Sequence, residues 1–149
     1  MHKYLLIEYK NGIARKESVH AEHLGDGLYK LKHSPGFVLG IAAGDTFRII
    51  NDDGRFEVLV RGGNLCVQIF SHKPIVNCLS ELETEIQKMH GVLDGSISNG
   101  AVFTIPVSAG FEVIENTFNE FVSSHTGMEW FYGNVYDPID GETPLNWWK

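Results

Sequence analysis

The pattern of apolar and polar positions makes the first 61 residues of the chain β-rich. Leu28-Tyr29-Lys30-Leu31-Lys32 shows the period of two most plainly. Tyr4–Tyr9, Glu17–Ala21, Thr46–Ile50 and Phe56–Val60 read as four further strands, rich in aromatic and β-branched residues. Asn51-Asp52-Asp53-Gly54 separates the last two, and its Asp-Gly step accepts the positive φ angles of a tight turn, so Thr46–Val60 reads as a hairpin. Between the third and fourth strands, Ser34–Asp45 is apolar and punctuated by glycine, the composition of a crossover loop.

Beyond Gly62-Gly63-Asn64 the period lengthens. Leu65–Phe70 keeps the pattern of a strand, after which Leu79, Leu82, Ile86, Met89 and Leu93 recur at steps of three and four, one face of a helix. Asn77 can cap its start, and so can Ser80, which has Glu83 at capping-box spacing; the helix ends near Gly91. Leu93–Ile97 and Ala101–Val107 read as strands around the turn Ser98-Asn99-Gly100. Phe111, Ile114, Phe118, Phe121 and Val122 mark a second amphipathic helix, and Glu129–Tyr136 a closing strand.

The order from Leu65 is therefore β-α-β-β-α-β, a split βαβ, ferredoxin-like arrangement in which two helices cover one face of an antiparallel sheet. The predicted fold class is α+β: a β-rich N-terminal lobe, residues 1–63, packed on a split βαβ lobe, residues 64–149. Gly62-Gly63-Asn64 is too short to uncouple the lobes, which predicts one compact unit. The helix-free face of the second sheet needs a cover, either the first lobe or a partner, because large apolar patches are seldom left bare.

Composition and charge narrow the function. The chain has 149 residues, of which 43% are hydrophobic, yet no run of 18 apolar residues, and Glu8 interrupts the first apolar stretch. Neither a membrane span nor a secretion signal is expected. The two cysteines, Cys66 and Cys78, fit a reduced, cytoplasmic setting. The net charge of −7 is uneven: through Ser71 there are 9 Lys+Arg against 8 Asp+Glu, and from His72 onward 3 against 11. An acidic half repels a phosphate backbone and attracts basic protein surfaces, so no nucleic-acid partner is expected.

Catalytic patterns are weak. His20 and Glu22 share a strand face while His23 points away, and Cys66, His72 and Cys78 lack the close pairing of structural zinc ligands. No G-x-S-x-G elbow, phosphate loop or dinucleotide fingerprint is present, and Asp52-Asp53 fits turn geometry better than acid–base chemistry. The expectation is a non-enzyme without cofactor or metal.

What remains is acidic and aromatic. Glu81, Glu83 and Glu85 crowd the first helix, with Glu81 and Glu85 a like-charge pair at i,i+4. Glu112, Glu115 and Glu120 lie off the apolar stripe of the second, which predicts one acidic surface shared by both helices. Trp130, Phe131, Tyr132, Tyr136, Trp147 and Trp148 are then interleaved with Asp137, Asp140 and Glu142. Tryptophans so close to a terminus either dock on the body of the fold, the reading favoured here, or anchor a partner. The candidate partner-binding residues are Glu81, Glu85, Glu112, Glu115, Trp130, Tyr132, Asp137, Asp140, Glu142, Trp147 and Trp148.

Leu24-Gly25-Asp26-Gly27-Leu28-Tyr29-Lys30-Leu31, Pro35-Gly36-Phe37-Val38-Leu39-Gly40-Ile41-Ala42-Ala43-Gly44-Asp45 and Asp53-Gly54-Arg55 together resemble the running pattern of a bacterial family, domain of unknown function 4265. The resemblance implies a small protein built from a β lobe and a split βαβ lobe, and it carries no catalytic residue. The acidic half and the tryptophan-rich tail are not part of that signature. The functional expectation is an immunity-type inhibitor that binds and neutralises a cognate basic toxin, a nuclease, through acidic and aromatic residues. The alternative is a small-ligand-binding regulatory module; the oligomeric state is open.

Overall fold

The structure, a computed structural model, describes residues 1–149. Its N-terminal sheet runs in chain order: β1 (His2–Lys10), β2 (Ile13–Gly25), β3 (Leu28–Leu31), β4 (Thr46–Ile49) and β5 (Phe56–Val60), with every neighbour antiparallel. Leu5, Val19, Ala21, Leu31 and Phe47 turn inward and join Val38 and Ile41 in a small core. The sheet curls until the β4–β5 turn returns to β1. There the Leu6 amide donates to the Gly54 carbonyl at 2.9 Å, Lys16 Nζ donates to the Asp52 carbonyl at 3.1 Å, and the Tyr9 hydroxyl donates to Asp53.

The second sheet has the order β7-β8-β6-β9, all antiparallel. Its elements are β6 (Asn64–Ser71), α1 (Leu79–Lys88), β7 (Val92–Ile97), β8 (Gly100–Pro106), a 3₁₀ turn at Val107–Ala109, α2 (Phe111–Ser123) and β9 (Met128–Tyr132). This is the split βαβ order, and the fold is α+β. No helix is long and apolar enough to cross a membrane. Leu65, Val67 and Ile69 of β6, with Phe103 and Ile105 of β8, meet Leu82 and Ile86 of α1 and Ile114 and Phe118 of α2 in the main core.

The opposite face is buried as well. Cys66, Gln68, Val102 and Thr104 alternate with those core residues, and all four are covered. The cover is the Ser34–Asp45 loop of the first lobe. Gln68 Nε2 donates to the Pro35 carbonyl at 3.0 Å, the Ser34 hydroxyl lies 2.6 Å from that of Thr104, and Ala42 packs on Cys66 and Val102. A stretch without helix or strand thus serves as the second layer.

Two local expectations are corrected. Neither Asn77 nor Ser80 caps α1; the N-cap is Cys78, without a side-chain bond. A tight turn sets the helix entry instead, the Ile75 carbonyl accepting the Cys78 and Leu79 amides at 3.0 and 2.9 Å while the Ile75 side chain is buried. The closing strand ends at Tyr132 rather than Tyr136. Gly133 and Asn134 are drawn inward, the Asn134 side chain bonding the Cys66 amide and the Asn64 carbonyl at 2.9 Å each, and the Gly133 carbonyl accepting the Gly40 amide at 2.7 Å.

The curl of the first sheet depends on Gly54. Its φ is +92°, and a Cβ there would sit 2.7 Å from the Leu6 nitrogen. Gly12, in the β1–β2 turn, has φ +75° but open space around it. Gly54→Ala is therefore expected to destabilise the protein by about 2–3 kcal/mol in urea unfolding, and Gly12→Ala by about 1 kcal/mol.

Candidate functional site

Strand β9 pairs with β6 on one side only and forms an edge of its sheet. Residues along it alternate between the two faces. Trp130 and Tyr132 point to the α2 side, where the Trp130 indole N–H donates to Asn119 Oδ1 at 2.8 Å and the Tyr132 hydroxyl donates to Glu115 at 3.0 Å. Phe131 points to the loop side and is exposed, its ring 6.2 Å from that of Phe70.

After Val135 the chain turns back. The Asp137 carboxylate accepts the Ile139 amide at 2.9 Å, the Asp140 carboxylate accepts the amides of Glu142 and Thr143 at 2.8 and 2.9 Å, and Tyr136 bridges to Pro144. This turn stands beside the β9 edge and closes a groove of about 620 Å³. Glu115, Trp130, Phe131, Tyr132, Tyr136, Asp137 and Pro138 line it, with Leu39 from the crossover loop and Gln68 from β6. Two carboxylates and four aromatic rings meet there, and no lysine or arginine does.

The electrostatics are one-sided. Burial, and then the hydrogen bond to the Glu115 carboxylate, push the Tyr132 phenol up from its ordinary value, so it stays a neutral donor. The Asp140 carboxyl is held below its ordinary value by the Thr143 hydroxyl and by backbone amides, so it stays charged. A water-facing groove with fixed negative charge and apolar rings suits a cationic side chain, whose head meets carboxylate and whose stem or guanidinium plane lies on a ring.

The eleven residues named from sequence do not form one surface. Glu115, Trp130, Tyr132 and Asp137 line the groove, and Asp140 and Glu142 lie exposed on the turn beside it. Glu81 and Glu85 sit on α1, next to β7 at the opposite edge of the sheet, and have basic neighbours of their own. Glu85 pairs with Lys88 at 3.0 Å, and Glu81 lies 3.8 Å from His125. Glu112 is exposed in the first turn of α2, where a negative charge complements the helix dipole. Trp147 and Trp148 dock on the fold: the Trp147 indole N–H donates to the Asn134 carbonyl at 2.8 Å beneath the Arg61 guanidinium, and Trp148 stands edge-on to Phe111 with ring centres 5.2 Å apart.

Leu39 and Gln68 belong to the groove although neither was singled out in the sequence. Leu39 carried a signal, a large apolar residue in a loop between two glycines. Gln68, in the middle of an apolar strand, marked the point where a buried side chain must find a polar partner.

The comparisons with known proteins bear on fold and family. Residues 17–130 match the sequence model of a family described as domain of unknown function (DUF4265). None of the curated proteins matches the chain. A crystal structure described as that of a hypothetical protein from Neisseria gonorrhoeae superposes with a TM-score of 0.68 at 15% identity, covering 89% of this chain and 94% of that one. At that identity the likeness shows a shared fold.

The Tyr132–Glu115 bond gives a direct test of the groove's electrostatics. In an alkaline absorbance titration, Tyr132 should ionise above the ordinary tyrosine value of 10.0, and Glu115→Gln should move the last part of the curve to lower pH. A phenol raised by folding stabilises the fold below pH 10.0, and that contribution is lost as pH rises through its folded value. Wild type should therefore lose stability more steeply than Glu115→Gln above that pH.

Proposed function

We propose a function from the premise that the chain belongs to the DUF4265 family, which brings no residue role with it: the protein is a non-enzymatic binding protein whose groove beside β9 accepts a basic segment of a partner protein. In its specific form the proposal is immunity-type, with the partner a cognate basic toxin, a nuclease, bound and neutralised in the cytoplasm. The observation that carries this reading is the lining of the groove, four aromatic rings and two carboxylates with no cation of the protein's own among them.

Charge and rings have separate effects on binding. Carboxylates at the rim attract a basic partner before contact and speed association, an effect screened beyond roughly 8–10 Å at physiological salt. Aromatic rings that become desolvated on contact slow release. Inhibition would follow from occlusion, as the toxin's Lys and Arg residues meet Glu115 and Asp137 in place of the phosphates they otherwise bind.

The test is calorimetric binding to the catalytic domain of a toxin encoded beside this chain, at about 50 mM and about 500 mM salt. Asp137→Lys and Glu142→Lys should each weaken binding at least about tenfold at the lower salt and less at the higher. Glu85→Lys, on the far edge of the sheet, should change it less than about threefold. The bound toxin should lose nuclease activity. Absence of a complex, or a complex indifferent to both substitutions beside the groove, overturns the proposal.

A further inference from the structure

A second recess lies between the lobes at the opposite edge of the same sheet. Strand β7 forms one wall, and β1, β2 and the start of the crossover loop form the other, around a cavity of about 360 Å³. Three histidines stand in a row along it. The His2 and His20 rings are stacked with centres 5.2 Å apart, and His33 follows 6.1 Å from His20. Lys30 and Lys32 line the adjoining recess, which shares His20 and His33. Phe37, Phe70, Ile97 and Val102 supply an apolar end.

The carboxylates of the cavity are already occupied. Asp94 has a side chain only 4% exposed, and it accepts the Ser34 amide at 3.0 Å, the Thr104 hydroxyl, and His33 Nδ1 at 3.3 Å. Glu17 accepts three successive amides, Gly36, Phe37 and Val38, at 2.8, 2.9 and 3.0 Å. The oxygens of both carboxylates are thus turned onto the protein's own donors. The contact with Asp94 fixes the His33 ring through Nδ1 and leaves Nε2 as the nitrogen free for a ligand. The free carboxylate nearby is Glu22, which is exposed at the rim of the adjoining recess.

We propose that this cavity binds a small organic phosphate with a flat apolar body, the phosphate against the histidine row and the body against the Phe37–Phe70 pair, whose ring centres lie 5.9 Å apart. The spacing of the rings suits an anion with several oxygens, which can bridge neighbouring imidazoles where a single carbonyl oxygen cannot. Imidazoles 5.2 Å apart repel each other when both are protonated, and a bound dianion removes that repulsion. Consistent with this, His20 ionises below its ordinary value because of the N-terminal ammonium, burial, Lys32, His2 and His33. Binding therefore takes up protons and tightens as pH falls. The charged and titratable groups facing the row from the packed elements are the N-terminal ammonium, Glu17, Glu22, Lys30, Lys32 and Asp94. This inference is independent of the groove beside β9.

The experiment follows the seven histidine Cε1–H signals by NMR while phenyl phosphate is added to the full chain. The signals of His2, His20 and His33 should move together and saturate, with affinity at least about fivefold higher near pH 6 than near pH 8, and the ordinary histidine range should be restored or exceeded at His20. Phenol, the same ring without the charge, should produce no saturating shift. His20→Gln with His33→Gln, both at partly exposed positions, should abolish the response while unfolding remains cooperative. The proposal is overturned if the three signals do not saturate, if His72, His90 and His125 respond equally, if affinity is the same at both pH values, or if the double variant still binds.

Discussion

The burial of the Ser34–Asp45 loop against a β-sheet face is the constraint on which the rest depends. A loop in that position brings backbone amides and carbonyls into a place without water, and each must find a partner. The partners come from both lobes. Asp94 takes the amide of Ser34, Glu17 those of Gly36 to Val38, the Gly133 carbonyl that of Gly40, Asp45 that of Ala42, the Ser34 hydroxyl that of Ala43, and the Leu31 carbonyl that of Gly44. Among the carbonyls, Gln68 serves Pro35, Arg61 serves Gly40 and Asn64 serves Ala43. No buried side-chain polar atom is left without a partner. A network in this state is rigid because breaking any member exposes an unmet group, at a cost of about 1–3 kcal/mol each.

That requirement accounts for residues that would otherwise be odd choices. Gln68 interrupts a strand buried along most of its length because a carbonyl lies opposite it. Asp45 is 1% exposed and burial raises its carboxyl, opposed by the amides of Gly62 and Ala42 and by Arg61, whose side chain continues to the face of Trp147. The tail's tryptophan is thereby tied to the loop through one cation. Cys66, also under the loop, has its thiol pushed up by burial and kept protonated, and it donates to the Pro35 carbonyl at 3.5 Å. It fills space and is a poor nucleophile.

Much of the architecture was legible in the chain because it rests on local periodicity. The change from a period of two to one of three and four after Asn64 placed both helices and the order of the strands, and Asp53-Gly54 placed the hairpin. Features set by distant partners were not legible. The cap of α1 was misread because the helix starts from a backbone turn at Ile75, whose carbonyl accepts the Cys78 and Leu79 amides. The last strand was read too long because Asn134 is needed beneath the loop, 70 residues from Asn64. The groove was half legible, since Trp130, Tyr132 and Asp137 are close in sequence while Leu39 and Glu115 arrive through topology. The division of the acidic residues was not, because the sequence does not show that α1 and β9 lie toward opposite edges of the sheet.

The family match and the loop illuminate each other. Pro35 to Asp45, the densest part of the resemblance, is the stretch fixed by partners in both lobes, so its glycines and small apolar residues answer to fit. Its larger residues then diverge in space. Phe37 points into the cavity at the β7 edge, Val38 into the core of the first lobe, and Leu39 into the groove at the β9 edge. The two recesses are separated by the width of a four-stranded sheet, roughly 14 Å from first strand to last, yet three consecutive residues of one immobilised loop reach both. Their polar linings differ for the same reason. On the β7 side the loop's amides and Ser34 consume the carboxylates of Glu17 and Asp94 and leave imidazoles facing the cavity. On the β9 side the loop binds through the carbonyl of Gly133, a neutral group, and leaves Glu115 and Asp137 unmatched by any cation.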